Sequence, residues 1–124
     1  MKGSNFADQA NPRVAVQVGA AGDSARTEIS DLVFSTVSGS GGAIVVEWNV
    51  KDAAGAQGSA AMWDSHVRLG GFKGSGIQYA NCAKLTGHAT APCVAAYLSL
   101  HLTSSSSAYF EVRTSARDLG SFSR

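Results

Sequence analysis

An all-β fold is what this sequence predicts, and three observations carry the expectation. Two runs near the middle of the chain, Ala43-Ile44-Val45-Val46-Glu47-Trp48-Asn49-Val50 and Met62-Trp63-Asp64-Ser65-His66-Val67-Arg68-Leu69, alternate with the period of two that belongs to strands. Low charge (15%), 14 glycines and many Ser and Ala residues suit tightly wound β structure better than a helical bundle or a disordered tail. No helix of convincing length is readable, because Gly55 and Gly58 interrupt the alanine-rich 53–61 stretch and it lacks an apolar stripe. At 124 residues the chain is read as one domain over 1–124.

Residues 1–12 are polar and turn-rich, an irregular lead-in. Residues 14–18 alternate and end at a turn over 19–22. Residues 27–34 form the next strand candidate, with a change of apolar parity between Ile29 and Leu32 that calls for a bulge or a corner. After a Ser/Gly turn over 35–42, the first central run places Ile44, Val46, Trp48 and Val50 on one face and Ala43, Val45, Glu47 and Asn49 on the other. The second, read as a single strand, places Trp63, Val67 and Leu69 inward with Ser65, and Asp64, His66 and Arg68 outward. A glycine-dense turn over 70–76 precedes a short extended piece at 77–79. Residues 94–103 alternate again, with Ala96, Leu98, Leu100 and Leu102 inward and Tyr97, Ser99, His101 and Thr103 outward, and 108–112 is the last strand. Short strands joined by Gly/Ser turns fit a sandwich, a barrel or a β-helix, and pattern alone does not choose among them.

Composition excludes some partners. The formal charge is +1 and the basic residues are scattered, so there is no electrostatic footprint for nucleic acid or an anionic membrane surface. No apolar run approaches the roughly 20 residues of a membrane helix. The Met1-Lys2-Gly3-Ser4-Asn5 start has no apolar segment behind it, and the expectation is a soluble chain without a signal peptide.

Glycoside cleavage needs two carboxyl groups flanking the bond, and the acids on or near expected strands are Glu28, Asp31, Glu47, Asp64 and Glu111. Taken singly, each is more simply a solvated or salt-bridged carboxylate. Asp64, His66 and Arg68 form a polar row that could bind sugar hydroxyls, but read more simply as a structural network in which Asp64 pairs with Arg68 or caps a turn. Trp48 and Trp63 fall on the inward parity and read as core, which leaves Tyr97 and Tyr109 as the better sugar-contacting rings. His66, His88 and His101 lie far apart with no ligand partner at conventional spacing, so neither a metal nor a cofactor is expected. There is no Gly-x-Ser-x-Gly elbow, and the glycine pairs after Leu69 precede no helix that would make them a dinucleotide turn. Cys82 and Cys93 flank a loop whose closure stabilises by roughly 2–3 kcal/mol, though spacing alone leaves two free thiols equally open.

Several motifs occur in one order: Gly42-Ala43-Ile44-Val45-Val46-Glu47-Trp48-Asn49-Val50, then Ala61-Met62-Trp63-Asp64-Ser65-His66-Val67-Arg68-Leu69-Gly70-Gly71, then Cys82, Cys93, Leu100-His101-Leu102-Thr103 and Ser107-Ala108-Tyr109-Phe110-Glu111. This series resembles the second β-helical half of fungal exo-β-1,3-glucanases of glycoside hydrolase family 55. The resemblance implies a right-handed parallel β-helix fragment of about two to three coils, with a small β-sandwich as the alternative. Its matched coils cover 12–112 and a divergent tail covers 113–124. It further implies a Cys82–Cys93 disulfide, an extracellular location and contact with β-1,3-glucan, for which the candidate side chains of this sequence are Asp64, His66, Arg68, Tyr97, His101 and Tyr109.

The chain also departs from that family. The family's general acid belongs to a later coil than the matched segment, and its Trp-rich strand and acidic Ala-Asp-His-Asp-Leu stretch are replaced here by Val112-Arg113-Thr114-Ser115-Ala116-Arg117-Asp118-Leu119. The expectation is therefore a truncated glucanase-like domain that touches glucan without cleaving it. Two alternatives stand beside it. One is an interaction protein that self-associates through open coil ends, and the other a residual hydrolase using Glu47, Asp64 or Glu111.

Overall fold

A computed structural model describes residues 3–82 and 90–111. The described chain is all-β, with eight strands: β1 (Arg13–Val18), β2 (Thr27–Ser30), β3 (Val33–Thr36), β4 (Ala43–Trp48), β5 (Ala60–Trp63), β6 (His66–Leu69), β7 (Leu98–Leu102) and β8 (Tyr109–Glu111). Two single turns of 3-10 helix, Ser4–Phe6 and Ala91–Cys93, are the helical pieces among the described residues.

The strands sort into three parallel sheets by a rule of three. β1, β4 and β7 form one sheet, β2, β5 and β8 a second, and β3 and β6 a third. Every pairing is parallel, with Val16 opposite Val46 and Val46 opposite Leu100 in the first sheet, Ile29 opposite Met62 and Met62 opposite Phe110 in the second, and Phe34 opposite Val67 in the third. Those same residues, with Trp48, meet in one hydrophobic core, so the inner faces of the three sheets converge and their outer faces diverge. Trp48, Val45 and Val46 are wholly buried, at the centre of the structure.

The parity change expected between Ile29 and Leu32 is a corner: Asp31 adopts φ 58 between β2 and β3. The corner repeats between β5 and β6, where Asp64 adopts φ 48. Asp tolerates this left-handed conformation better than most residues because its short side chain bonds locally. The second corner corrects the reading of 62–69 as a single strand. Parity restarts there, so Met62 (4% exposed) points into the core and Trp63 faces outward, half-buried, the reverse of expectation.

Three more expectations need correcting. Ala43 and Val45, assigned to an outer face, are buried on β4, the middle strand of its sheet between β1 and β7, and Asn49, just past its end, is buried with its amide on Gly19 O and Glu47 Oε1. Leu69, Leu98 and Leu102, assigned inward, are 44%, 40% and 47% exposed, since β6 and β7 are outer strands with no further neighbour among the described residues. Residues 77–79 are not extended strand. Ile77 instead folds back so that its carbonyl accepts from Gly71 N–H (2.9 Å).

Cys82 and Cys93 are joined in a disulfide, Cα to Cα 5.7 Å, and next to Cys93 the Ser38 hydroxyl donates to Pro92 O (2.8 Å). His88 and the tail at 113–124 lie outside the described residues.

The linker between β4 and β5 is held by Asp52. Its carboxylate accepts from Ala60 N–H (2.8 Å), its own N–H donates to the Ser107 hydroxyl (2.9 Å), and Ser59 Oγ accepts from Ala53 N–H (2.8 Å). The Ala60 bond first, opposed by burial and joined by lesser bonds from Gly58, Ser107 and Ser59, holds the Asp52 carboxyl below its ordinary value of 3.8. A carboxyl whose folded pKa is depressed adds stability above its unfolded pKa and loses it as pH falls through the folded one. Urea midpoints are therefore expected to hold level from pH 7 to about 5 and drop below about 4, with a shallower drop in Asp52→Asn. An equally steep drop in the variant would remove Asp52 from the account.

Candidate functional site

The outer face of the first sheet aligns Gln17, Glu47 and His101 across β1, β4 and β7. Glu47 Oε2 lies 3.1 Å from His101 Nδ1, and Glu47 Oε1 accepts from Asn49 Nδ2 at 3.2 Å. Asn49 Nδ2 also reaches Gly19 O (3.1 Å), and Gln17 Nε2 donates to that same carbonyl (3.1 Å). An ionised carboxylate only accepts, so the Nδ1 that faces Glu47 carries a hydrogen and Nε2 is the ring nitrogen turned away from it. The His101 side chain is 43% exposed and that of Glu47 20%, which puts the anchored carboxylate beneath the available ring. Tyr97, 51% exposed, stands at the bend just before β7 and shares the parity of His101, about 13 Å along the run.

The other expected site residues lie elsewhere. Asp64 sits at the corner, while His66 and Arg68 are on β6 in the third sheet, opposite Val33 and Ser35. Arg68 Nη2 donates to Gly71 O (3.0 Å) and its guanidinium stands 5.3 Å over the Phe72 ring, so part of its capacity is spent locally. Tyr109, 57% exposed, is on the outer face of the second sheet. Of the carboxylates considered for hydrolysis, Glu47 lies on the first sheet, Asp64 at the corner and Glu111 on the second sheet. Among the described residues no cluster of three or more His, Cys, Asp or Glu side chains is arranged to hold a metal, and no helix is long and apolar enough to cross a membrane.

Sequence reasoning missed the Glu47–His101 pair and its supports Gln17 and Asn49. The alternation placed Glu47 and His101 each on an outer face, but nothing in the sequence says that β4 and β7 are neighbours in the register that joins them.

No family model matches the chain. It is 53% identical over 111 residues, 90% of its own length, to a protein named non-secreted LysM effector from Penicillium expansum. It is 44% identical over 112 residues to a probable glucan endo-1,3-beta-glucosidase from Arthroderma benhamiae, and 39% identical over 110 residues to a glucan 1,3-beta-glucosidase from Cochliobolus carbonum, in each case covering 88% of this chain. The chain spans 8%, 12% and 14% of the length of these three relatives. By sequence it is glucanase-like, from a segment that these fungal proteins share. Their names include endo-acting enzymes, which is broader than the exo-acting resemblance read from the sequence.

Proposed function

We propose that this chain is a β-helical, glucanase-type domain that contacts β-1,3-glucan without hydrolysing it on its own. The observation that carries the reading is the 39–44% identity, over 88% of the chain, to two proteins named for glucan 1,3-β-glucosidase activity. The return of every third strand to the same parallel sheet supports the β-helical part, and the strong preference of parallel crossovers for one hand supports a right-handed coil. Descent from an exo-acting member of glycoside hydrolase family 55 belongs to the same proposal. Tyr97 and His101 supply one exposed ring and one hydroxyl-binding imidazole along one run, with Asp64, His66, Arg68 and Tyr109 as further contacts on other sheets. Extracellular action goes with it, supported by the Cys82–Cys93 disulfide, which persists in oxidising compartments.

Lack of hydrolysis is supported by Glu47: of the carboxylates considered for hydrolysis, it is already engaged by His101 and Asn49. The test is incubation with laminarin: calorimetry should register binding while no glucose or oligosaccharide appears over a day. Released sugar would sink the non-hydrolytic reading and favour a residual enzyme.

A second reading, self-association, is favoured by one feature. Leu98 and Leu102 are exposed on β7, an outer strand whose edge can template another strand. Light scattering across micromolar concentrations should then show a mass above the monomer, and a constant monomeric mass would exclude it.

A further inference from the structure

Trp63 is the residue whose placement the sequence misjudged most, and its outward orientation builds a second surface. On the outer face of the second sheet, Ser30, Trp63 and Glu111 stand in one row, and Glu28, Ala61 and Tyr109 in the row beside it. Ala61 is only 5% exposed although it faces outward. It is a short side chain between the longer Glu28 and Tyr109 and two positions from Trp63, so it floors a shallow dip. Trp63 is half-buried and Tyr109 57% exposed, and they lie on adjacent strands two positions out of register. Parallel strands about 4.8 Å apart then set their Cα atoms roughly 8 Å apart, within reach of a common ligand. Glu28, held by Arg26 at 3.4 Å, and Glu111 bound the dip with hydrogen-bond acceptors.

We infer that this dip is a pyranose-ring platform: Trp63 and Tyr109 stack on the apolar faces of β-linked glucose units, while Glu28, Glu111 and the Ser30 hydroxyl take the ring hydroxyls. A flat ring with hydroxyls at its rim matches that combination, an aromatic floor with carboxylate acceptors around it. A phosphorylated or acidic ligand does not, because both flanking side chains are anionic. The inference rests on the proposed glucan contact and moves it from the Tyr97–His101 run to the second sheet.

The chain has two tryptophans, and Trp48 is wholly buried, so an emission change on ligand addition reports chiefly on Trp63. Titration with laminarihexaose is expected to shift and quench the emission. Calorimetry should find affinity about tenfold weaker in both Trp63→Ala and Tyr109→Ala, and unchanged in Tyr79→Ala, a 76% exposed ring outside the second sheet. Tyr109→Ala guards against a folding defect in the tryptophan variant, since that ring is mostly in solvent. If binding survives both changes and is lost in Tyr97→Ala or His101→Ala, the platform is wrong and the glucan reading stands. If the unaltered protein does not bind laminarihexaose by calorimetry, both fall.

Discussion

Trp48→Ala is expected to lower the free energy of unfolding by about 3–5 kcal/mol, the range for removing a large aromatic side chain from a packed core. The indole is wholly buried and meets Phe110 edge to face, ring centroids 5.1 Å apart and planes at 77°. Its N–H donates to Ser107 O at 3.1 Å, so the substitution leaves a cavity and also orphans a carbonyl beside the Asp52 network. Trp48 further ties the sheets together: its backbone lies between Val18 and Leu102, and its carbonyl accepts from both Thr103 N–H and the Thr103 hydroxyl. Small domains are stable by about 5–15 kcal/mol, so the loss is a large share of the total. With a urea m value of about 1–3 kcal/mol/M, the midpoint should fall by roughly 2 M. Trp48→Phe keeps the ring and removes the donor, and should cost about 1–2 kcal/mol. A loss below 1 kcal/mol in the alanine variant would mean that the core is not built around this side chain.

That core was largely legible, for a reason that also explains what was not. Alternation within one strand is local, so Val46, Trp48, Val50 and Leu100 could be assigned inward without knowing their neighbours. The first corner was visible because Ile29 and Leu32 disagree in parity. The corner at Asp64 was not, because Trp63, Ser65 and Val67 keep a nearly clean alternation straight through it. That one αL residue reversed the assignment of Met62 and Trp63 and left the Asp64, His66 and Arg68 row on no single strand. Exposure of Leu98 and Leu102 and burial of Val45 depend on which strands flank β7 and β4. That is long-range pairing, which alternation does not encode. The Glu47–His101 pair failed to show for the same reason, and the Cys82–Cys93 bridge was reached by resemblance rather than by spacing.

Gly19→Ala should destabilise by about 2–4 kcal/mol, far more than a methyl group usually does, and a neighbouring glycine supplies the control. Gly19 follows β1 with φ +69, and an added Cβ would stand 2.3 Å from Val50 Cγ1 and 3.2 Å from Asp23 Oδ2. Val50 is 4% exposed and β-branched, so it has little room or rotamer freedom to withdraw. Gly22, at φ +94, has no atom within 4 Å of the same added carbon. Gly22→Ala therefore measures the conformational cost alone, about 1 kcal/mol, and the excess in Gly19→Ala measures the close approach of the turn to the end of the β4 run. That approach has a consequence on the outer face. The Gly19 carbonyl receives both Asn49 Nδ2 and Gln17 Nε2, and Asn49 in turn holds Glu47 against His101. Displacing the turn should free the imidazole as well as loosen the core, so the His101 ring resonances should shift in Gly19→Ala and stay in place in Gly22→Ala. Equal destabilisation by the two variants would show that the turn yields to the methyl group, and that the Glu47–His101 arrangement does not depend on its position.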